Sequence, residues 1–256
     1  METRKFDLHL HSRYSIDAFS SLPALFKKAK MKNLGLAIAD HNVIGGSLKA
    51  SQQQEVIIIP AIETLTYEGV HTLFYFEQAD QLDKFFHDVI KPKQDPQLLI
   101  KIGLLELIKQ APRHQCLVGW PHPFVLNRGG CYKLVKRNKM TENELMDLVD
   151  FIEVINGAAS ATQNQAAAEL AVKYHKAPVG GSDAHLLSEV GTVYTEIAAN
   201  STKEVLEAIA ARHTKAGGQP RGRFACLGAS IIKETKTILR PGGHKILMDQ
   251  IRRVGK

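Results

Sequence analysis

Apolar and polar residues alternate along the first strand-like segment of the chain, residues 4–11. The two leucines of this segment fall on one face, and Asp7, His9 and His11 fall on the other, because successive side chains of a strand point to opposite faces. Two imidazoles two residues apart at a strand end can reach one cation, and we expect the Asp7 carboxylate to orient one of them. An edge strand with a solvated polar face would give the same alternation.

Apolar segments and segments with helical periodicity follow one another along most of the chain. The apolar segments predict strands at residues 4–11, 36–39, 56–62, 71–76, 116–120, 151–155, 178–181 and 191–194. Ser21, Thr141 and Ser201 are capping residues that predict helix starts between strands, and Asp95-Pro96 predicts a further helix start. About seven strand–helix units are present, which favours parallel strands in a barrel or a wound sheet.

Most polar signatures of the sequence come directly after one of these predicted strands. They are His9 with His11, His41, Glu63, His122, Asn156, and Asp183 with His185. Because the C-terminal strand ends of such a barrel form one mouth, we expect these residues to converge on a single site. Taken singly, each histidine would more often be an ordinary surface or core residue, and the shared placement reverses that interpretation.

The composition describes a globular protein with room for one large core. The chain has 256 residues, of which 44% are hydrophobic and 23% charged. Apolar runs stay short of membrane-spanning length, and a charged N-terminus that leads straight into a strand predicts no secretory signal. Three cysteines without a CxxC pair, Cys116, Cys131 and Cys226, make a disulfide framework unexpected and favour a cytoplasmic location.

The net charge of +7 comes entirely from the end of the chain. Residues 219–256 hold nine Lys and Arg against only Glu234 and Asp249, whereas acidic and basic residues balance over residues 1–218. We therefore divide the chain into a barrel, residues 1–218, and a basic C-terminal extension, residues 219–256. The extension is expected either to pack as a solvated helix across the bottom of the barrel or to hold a phosphate-rich partner, nucleic acid or an anionic membrane surface.

The polar residues at the predicted mouth have the donor atoms of a metal site. Six of the eleven histidines, together with Asp17, Glu63 and Asp183, offer nitrogen and oxygen ligands without a cysteine. Such a set favours Mn, Fe or Zn over a structural thiolate site. Nine donors exceed the needs of one ion, so we expect two or three divalent transition metals that share a bridging carboxylate.

Five motifs of the sequence resemble those of the PHP (polymerase and histidinol phosphatase) family. They occur in the order of the family at residues 7–12 (DLHLHS), 39–42 (ADHN), 60–63 (PAIE), 121–123 (PHP) and 181–185 (GSDAH). The resemblance covers roughly residues 4–215 and is closer to the stand-alone phosphoesterases than to the domains fused to DNA polymerases. It implies an α/β fold, a distorted seven-stranded (β/α) barrel, with a trinuclear metal site at the C-terminal strand ends.

The resemblance also implies which residues hold each metal. The first would be held by His9, His11, Glu63 and Asp183; the second by Glu63, His71 and His122; the third by Asp17, His41 and His185. Some family members carry a histidine at the position of Asp17, and the change is expected to alter metal preference. Four further residues are expected to orient these ligands: Asp7, Asp40, Asn42 and Asn156.

Such a cluster supports hydrolysis of a phosphate ester by a metal-activated hydroxide, with Glu63, Asp183 and His185 as catalytic residues. Arg13 and Arg128 are the expected phosphate-binding side chains, and Lys133, a weaker candidate, is expected to be a solvated loop charge. The substrate would be a small phosphorylated metabolite or nucleotide. Two alternatives stay open: a nuclease that trims oligonucleotides, and, in another functional class, a barrel that keeps this fold and binds metal as a non-catalytic regulatory module.

Overall fold

The computed structural model describes residues 2–95, 98–239 and 243–255. Its strands are β1 (Thr3–Leu10), β2 (Leu34–Ile38), β3 (Ile58–Leu65), β4 (His71–Tyr75), β5 (Leu117–Trp120), β6 (Phe151–Asn156), β7 (Ala177–Gly181), β8 (Val193–Ala198) and β9 (Lys215–Gly218). Its α-helices are α1 (Leu22–Lys32), α2 (Gly45–Ala50), α3 (Ala79–Phe85), α4 (Leu104–Ile108), α5 (Lys133–Lys136), α6 (Glu142–Asp147), α7 (Ala161–Lys173), α8 (Thr202–Ala210), α9 (Arg223–Leu239) and α10 (Gly243–Gly255).

The nine strands form one sheet in the order β7-β6-β5-β4-β3-β2-β1-β8-β9. The end of β7 returns to the end of β1, where Asp183 N donates to His9 O (2.7 Å) and His11 N donates to Ala184 O (2.9 Å). These two bonds close β1 to β7 into a barrel, as expected. The count of seven is too low for the whole sheet, because β8 pairs antiparallel with β1 on the edge opposite β2, and β9 pairs antiparallel with β8.

One barrel strand, β4, runs against its neighbours. It pairs antiparallel with both β3 and β5, and its first residue, His71, lies opposite Leu65, the last residue of β3. The expectation of parallel strands throughout is therefore wrong at β4. The reversal brings the start of β4 to the mouth formed by the ends of the other strands, so a histidine at a strand start still reaches the site.

The regular alternation expected for β1 breaks before the strand ends. The pairing of β1 with β2 shifts register between Asp7 and Leu10. Leu8 packs in an apolar cluster with Phe6, whereas Leu10 packs in a different cluster with Leu25 of α1. The two leucines thus do not share one environment, and neither do Asp7, which accepts from Ser182, and His9, which faces Glu63.

Helix caps agree with the sequence where the signal is local. Ser21 precedes α1, and the side chains of Thr141 and Ser201 accept from the third residues of α6 and α8. The helix expected after Asp95 is absent from the described residues there, and Pro96 lies outside them. Leu98 instead has a φ of 64°, and the next helix, α4, begins only at Leu104.

The C-terminal extension meets the mouth of the barrel, not its bottom. Ile246 of α10 packs with Ile16 and Leu99, which lie on loops at the mouth, and Lys236 of α9 donates to the carbonyl oxygens of Ser15 and Ala18. The expected position was wrong because the apolar partners of α10 come from these loops. The side chains of Arg223, Phe224, Lys233, Arg240, Arg253 and Lys256 lie outside the described residues. Over the described residues, each helix is too short or too polar to cross a membrane.

Candidate metal centre

The nine side chains that the sequence singles out as ligands lie together at the mouth of the barrel. Strands carry His9, Glu63 and His71, and the loop between β1 and α1 carries Asp17. The other five lie one to four residues beyond a strand end: His11, His41, His122, Asp183 and His185. All nine are largely or fully buried. His71, with 13% of its side chain exposed, is the most accessible of them and, with His41, marks the open face of the cluster.

Glu63 stands at the centre of the cluster. Its Oε1 lies 2.7 Å from His71 Nδ1 and 3.3 Å from His122 Nε2. Its Oε2 lies 2.8 Å from His41 Nδ1 and 3.4 Å from His9 Nε2. One carboxylate thus faces imidazoles from four strands or strand ends, which is the arrangement a bridging ligand needs.

The other two carboxylates also face several imidazoles, three for Asp183, which include His185 Nδ1 at 3.6 Å, and two for Asp17. Asp183 Oδ1 lies 3.3 Å from His11 Nε2 and 3.8 Å from His9 Nε2. Asp17 Oδ2 lies 3.2 Å from His185 Nε2 and 3.4 Å from His41 Nε2. The expected third set, Asp17 with His41 and His185, is therefore in mutual contact.

Among the described residues, three groups have donor atoms that lie within 4.8 Å of one another and could hold an ion. They are His9–His11–Asp183, His41–Glu63–His71 and His11–His41–His185. The first group falls within one of the ligand sets implied by the family. Each of the other two groups combines residues of two implied sets. The reason is that the cluster is continuous and that His41 faces Glu63 as well as Asp17.

Several buried atoms of the cluster make no hydrogen bond. They are Nε2 of His9, both ring nitrogens of His11, Oε2 of Glu63 and Nδ1 of His122. Leaving buried polar atoms without partners costs on the order of 1–3 kcal/mol each. Nitrogen and carboxylate donors aimed at one another fit divalent transition metals, which would satisfy these atoms and offset the buried negative charge.

The pKa values in the cluster show mutual dependence between acids and histidines. Burial opposes the ionisation of Glu63, but positive charge on His71, His41 and His9 outweighs it and holds the pKa of Glu63 well below its usual range. Burial likewise opposes the protonation of His41, yet Asp17 and Glu63 raise its pKa to about 10. Protons on such histidines would have to leave before a metal could bind.

Glu153 of β6 is a functional residue that the sequence reasoning missed. Its Oε1 lies 3.1 Å from His9 Nδ1, and its Oε2 accepts from His122 N at 2.8 Å and from Asn156 Nδ2 at 2.9 Å. A carboxylate on the remote ring nitrogen fixes the tautomer and direction of a ligating imidazole. A glutamate inside the apolar segment 151–155 was the signal available in the sequence.

Asp7 and Asp40 each hold a serine next to a ligand. Asp7 accepts from Ser182 N (2.9 Å) and Ser182 Oγ (2.6 Å), and Asp40 accepts from Ser12 N (2.6 Å) and Ser12 Oγ (2.7 Å). Burial raises the pKa of Asp7 to about 6 and that of Asp40 to about 7. Asp7 thus orients the backbone before Asp183, while the role expected of it, contact with an imidazole, belongs to Glu153.

The two asparagines support the cluster through the backbone. Asn42 Oδ1 accepts from Leu65 N at 2.9 Å, and its Nδ2 donates to Leu98 O at 3.1 Å, which ties the chain after β2 to β3 and to the next mouth loop. Asn156 donates to Glu153 and thereby helps to fix its carboxylate.

Positive backbone φ angles occur at three residues of the site, Asn42 (56°), His122 (31°) and Asp183 (48°). Residues other than glycine rarely adopt a positive φ, so surrounding contacts must hold the backbone of these three residues in that conformation. The bonds from His122 N to Glu153 and from Asp183 N to His9 O supply such contacts.

The expected phosphate-binding residues lie around the mouth. Arg13 is exposed, and Arg128 is half-buried next to Gly129, whose carbonyl accepts from His71 N at 2.9 Å. Lys133 differs from the expected solvated charge. It is only 3% exposed, and burial, followed by repulsion from Arg137, lowers its pKa to about 8.

Comparison with known proteins places this chain among its relatives. A family model described as PHP-associated matches residues 161–214. An uncharacterized protein of Methanocaldococcus jannaschii, MJ0417, is 31% identical over 191 residues, which cover 74% of this chain and 69% of that protein. The chain belongs to the PHP family. The family inferred from the five motifs is therefore confirmed.

Solved structures share the fold of this PHP chain. Endonuclease Q from Pyrococcus furiosus, a lesion-specific endonuclease, has a TM-score of 0.65 at 21% identity, covering 84% of this chain and 58% of that chain. A two-domain protein from Bacteroides vulgatus that contains a predicted PHP-like metal-dependent phosphoesterase has a TM-score of 0.62 at 17% identity, covering 91% and 70%. At such identities the likeness shows the fold alone, and this PHP chain spans less than two thirds of endonuclease Q.

Proposed function

We propose that this protein is a metal-dependent phosphoesterase that hydrolyses a phosphate ester at the mouth of its barrel. The observation that carries the proposal is the convergence of nine nitrogen and oxygen donors around Glu63, with buried donor atoms that lack hydrogen-bond partners. Two or three ions of Mn, Fe or Zn are the proposed cofactors. When bound, they would supply hydroxide near neutral pH and neutralise phosphate oxygens.

Different residues of the site would have different roles in metal and phosphate binding. Glu63 and Asp183 would bring negative charge to cations held by the histidines, and Glu153 would keep the His9 ring in the orientation that presents Nε2 to the cluster. Arg13 and Arg128, at the mouth, would hold the phosphate by charge-assisted hydrogen bonds. Burial of the donors would exclude bulk water and so strengthen these electrostatic interactions.

The test is hydrolysis by metal-loaded protein of a panel of phosphomonoesters, cyclic nucleotides and short oligonucleotides, with metal content measured in parallel. His9→Ala should lower both bound metal and the rate more than about 100-fold, because a ligand is deleted and not merely misoriented. His87→Ala is the matched control, since His87 is an exposed helical histidine that pairs with Asp83 and is not one of the nine proposed ligands. A wild-type protein that binds no metal would refute the proposal.

A second candidate, a nuclease, has specific support. The fold is shared with a lesion-specific endonuclease, and the extension that carries the net charge meets the mouth, with Lys245 and Arg252 exposed. Nucleic acid held there by its phosphates would bind less tightly as salt increases. Cleavage confined to oligonucleotides in the panel, with steep salt dependence, would favour this candidate over a small phosphorylated metabolite. The division into residues 1–218 and 219–256 remains a proposal under both.

A further inference from the structure

Two of the proposed ligands are carried by loops, and these loops are linked. Asp17 lies seven residues beyond the end of β1, and His185 lies four residues beyond the end of β7. Phe19 N donates to His185 O at 3.0 Å, which joins the loop of residues 12–20 to the loop of residues 182–189. The separation of Asp17 Oδ2 and His185 Nε2, 3.2 Å, therefore depends on how both loops are held.

Arg221 holds one of these loops from outside the barrel motifs. Its guanidinium donates to the carbonyl oxygens of Ser182 and Asp183, both at 3.3 Å, and to Gly157 O at 3.0 Å. It also pairs with Glu189, whose other oxygen accepts from His185 N at 2.8 Å. One side chain, only 9% exposed, thus reaches the backbone of Asp183 directly and that of His185 through Glu189.

Lys236 holds the other loop. Its ammonium group donates to Ser15 O at 3.2 Å and to Ala18 O, on either side of Asp17, and lies 4.9 Å from the centre of the Phe19 ring. Phe19 is the residue that bonds to His185 O. The two cations of the C-terminal extension therefore act on the two linked loops that carry Asp17 and His185.

We propose that Arg221 and Lys236 are positioning residues of the metal centre, and that the C-terminal extension sets the affinity of the ion held by Asp17, His41 and His185. This inference rests on the proposed metal-dependent function. Both cations reach the loops through backbone carbonyls, and Arg221 also acts through the Glu189 carboxylate. Mutation of a residue that orients a metal ligand without contacting the metal commonly lowers metal affinity by about 10–100-fold.

The test measures metal binding, not only activity. Wild type, Arg221→Gln, Lys236→Gln and the double variant are titrated with Mn²⁺, and stoichiometry, affinity and the Mn²⁺ electron paramagnetic resonance spectrum are recorded. The variants should lose one equivalent, or bind it about 10–100-fold more weakly, while the remaining equivalents keep their affinity. Arg221→Lys keeps the charge without the fork of donors and should restore part of the loss.

Matched controls come from the far side of the barrel. Arg212 donates to His175 O at 3.3 Å, and Lys176 donates to Val149 O at 2.8 Å, so Arg212→Gln and Lys176→Gln remove the same kinds of bond away from the mouth. These variants should bind Mn²⁺ like wild type. If Arg221→Gln does not fold, then Arg221→Lys and Lys236→Gln carry the test.

Unchanged stoichiometry, affinity and spectrum in folded Arg221→Gln and Lys236→Gln, or in Lys236→Gln where Arg221→Gln does not fold, would overturn the inference and leave the phosphoesterase proposal intact. Equal losses in the control variants would overturn it too, because they would indicate a general effect on stability. Wild-type protein that binds no Mn²⁺, Fe²⁺ or Zn²⁺ would instead refute the proposed function, and this inference with it.

Discussion

The two sides of the candidate metal centre are built differently. On the barrel side, His9, Glu63 and His71 lie on strands and His122 lies two residues beyond one. On the loop side, Asp17 and His185 lie on connections held by Arg221 and Lys236 of the C-terminal extension. Hydrogen bonds of the sheet fix the first group, whereas the second group depends on side chains distant in sequence.

This difference indicates which ligands tolerate a change in their surroundings. A strand that is hydrogen-bonded on both edges has little freedom at its end, and on the barrel side Glu153 of such a strand holds the His9 ring. Loops have lower local stability than core strands and open more readily. We therefore expect mutations around the cluster to affect metal occupancy on the loop side first, unless they remove a ligand shared by both sides.

The largest expected effect comes from the ligand that both sides share. Glu63→Gln removes the negative charge that faces His9, His41, His71 and His122 and keeps only one acceptor oxygen. Bound metal should fall on both sides, and hydrolysis should drop more than about 1000-fold, because two cations lose their common carboxylate. Elemental analysis and the rate on the best substrate of the panel measure the two losses.

Glu207→Gln is the matched control for this change, since Glu207 is an exposed glutamate of α8. Near wild-type hydrolysis by Glu63→Gln would mean that the bridging assignment is wrong. Loss on one side alone would show that the two sides bind metal independently.

An intermediate effect is expected from Glu153→Gln, which tests the barrel side alone. The amide can still contact His9 Nδ1, but His9 Nδ1 and His122 N both lose a carboxylate partner. The affinity for the ion at His9 should fall about 10–100-fold, with the Asp17–His185 ion unaffected. Competition titration with a metal indicator measures the affinities of these two ions separately, and Glu207→Gln again serves as the control. A uniform loss over all ions would contradict the separation into two sides.

The same division explains what the sequence could predict. Strand periodicity and helix caps are local, so the positions of His9, Glu63 and the cap at Thr141 follow from a few neighbouring residues. Asp17 was a candidate donor in the sequence, but its assignment to one ion with His41 and His185 came only from the resemblance to the PHP family, because no periodic pattern places a loop residue.

Features that depend on distant partners were missed. The direction of β4 and the presence of β9 (sequence KAGG) are decided by sheet pairing, to which a short segment without apolar alternation gives no clue. Glu153 and Arg221 were missed because their significance lies in contacts with residues 144 positions and 38 or 39 positions away. The expectation for Asp7 failed for a local reason, the register shift that separates it from His9.

The smallest expected effect concerns the aspartate beneath the loop side. Burial raises the pKa of Asp40 from 3.8 to about 7, against the hydrogen bonds from Ser12. The folded state therefore holds the Asp40 proton more tightly than the unfolded state does. Its contribution to the free energy of unfolding is fully present below about pH 4 and is lost as the pH rises through about 7. The difference between these two pKa values of Asp40 limits its contribution to the free energy of unfolding to roughly 4 kcal/mol.

Asp40→Asn isolates this contribution, because an amide has no proton to lose in this range and can still accept from Ser12 N and donate to Ser12 Oγ. In chelator-treated protein, denaturant unfolding between pH 4 and 8 should show that the wild type loses stability relative to Asp40→Asn as the pH rises, since only the wild type acquires a buried charge. Asp83→Asn, at an exposed carboxylate, should follow the wild-type profile. If the difference in free energy of unfolding between wild type and Asp40→Asn stays constant over this range, Asp40 does not hold a proton in the folded protein. Its hydrogen bonds with Ser12 are then those of an ionised carboxylate at every pH tested.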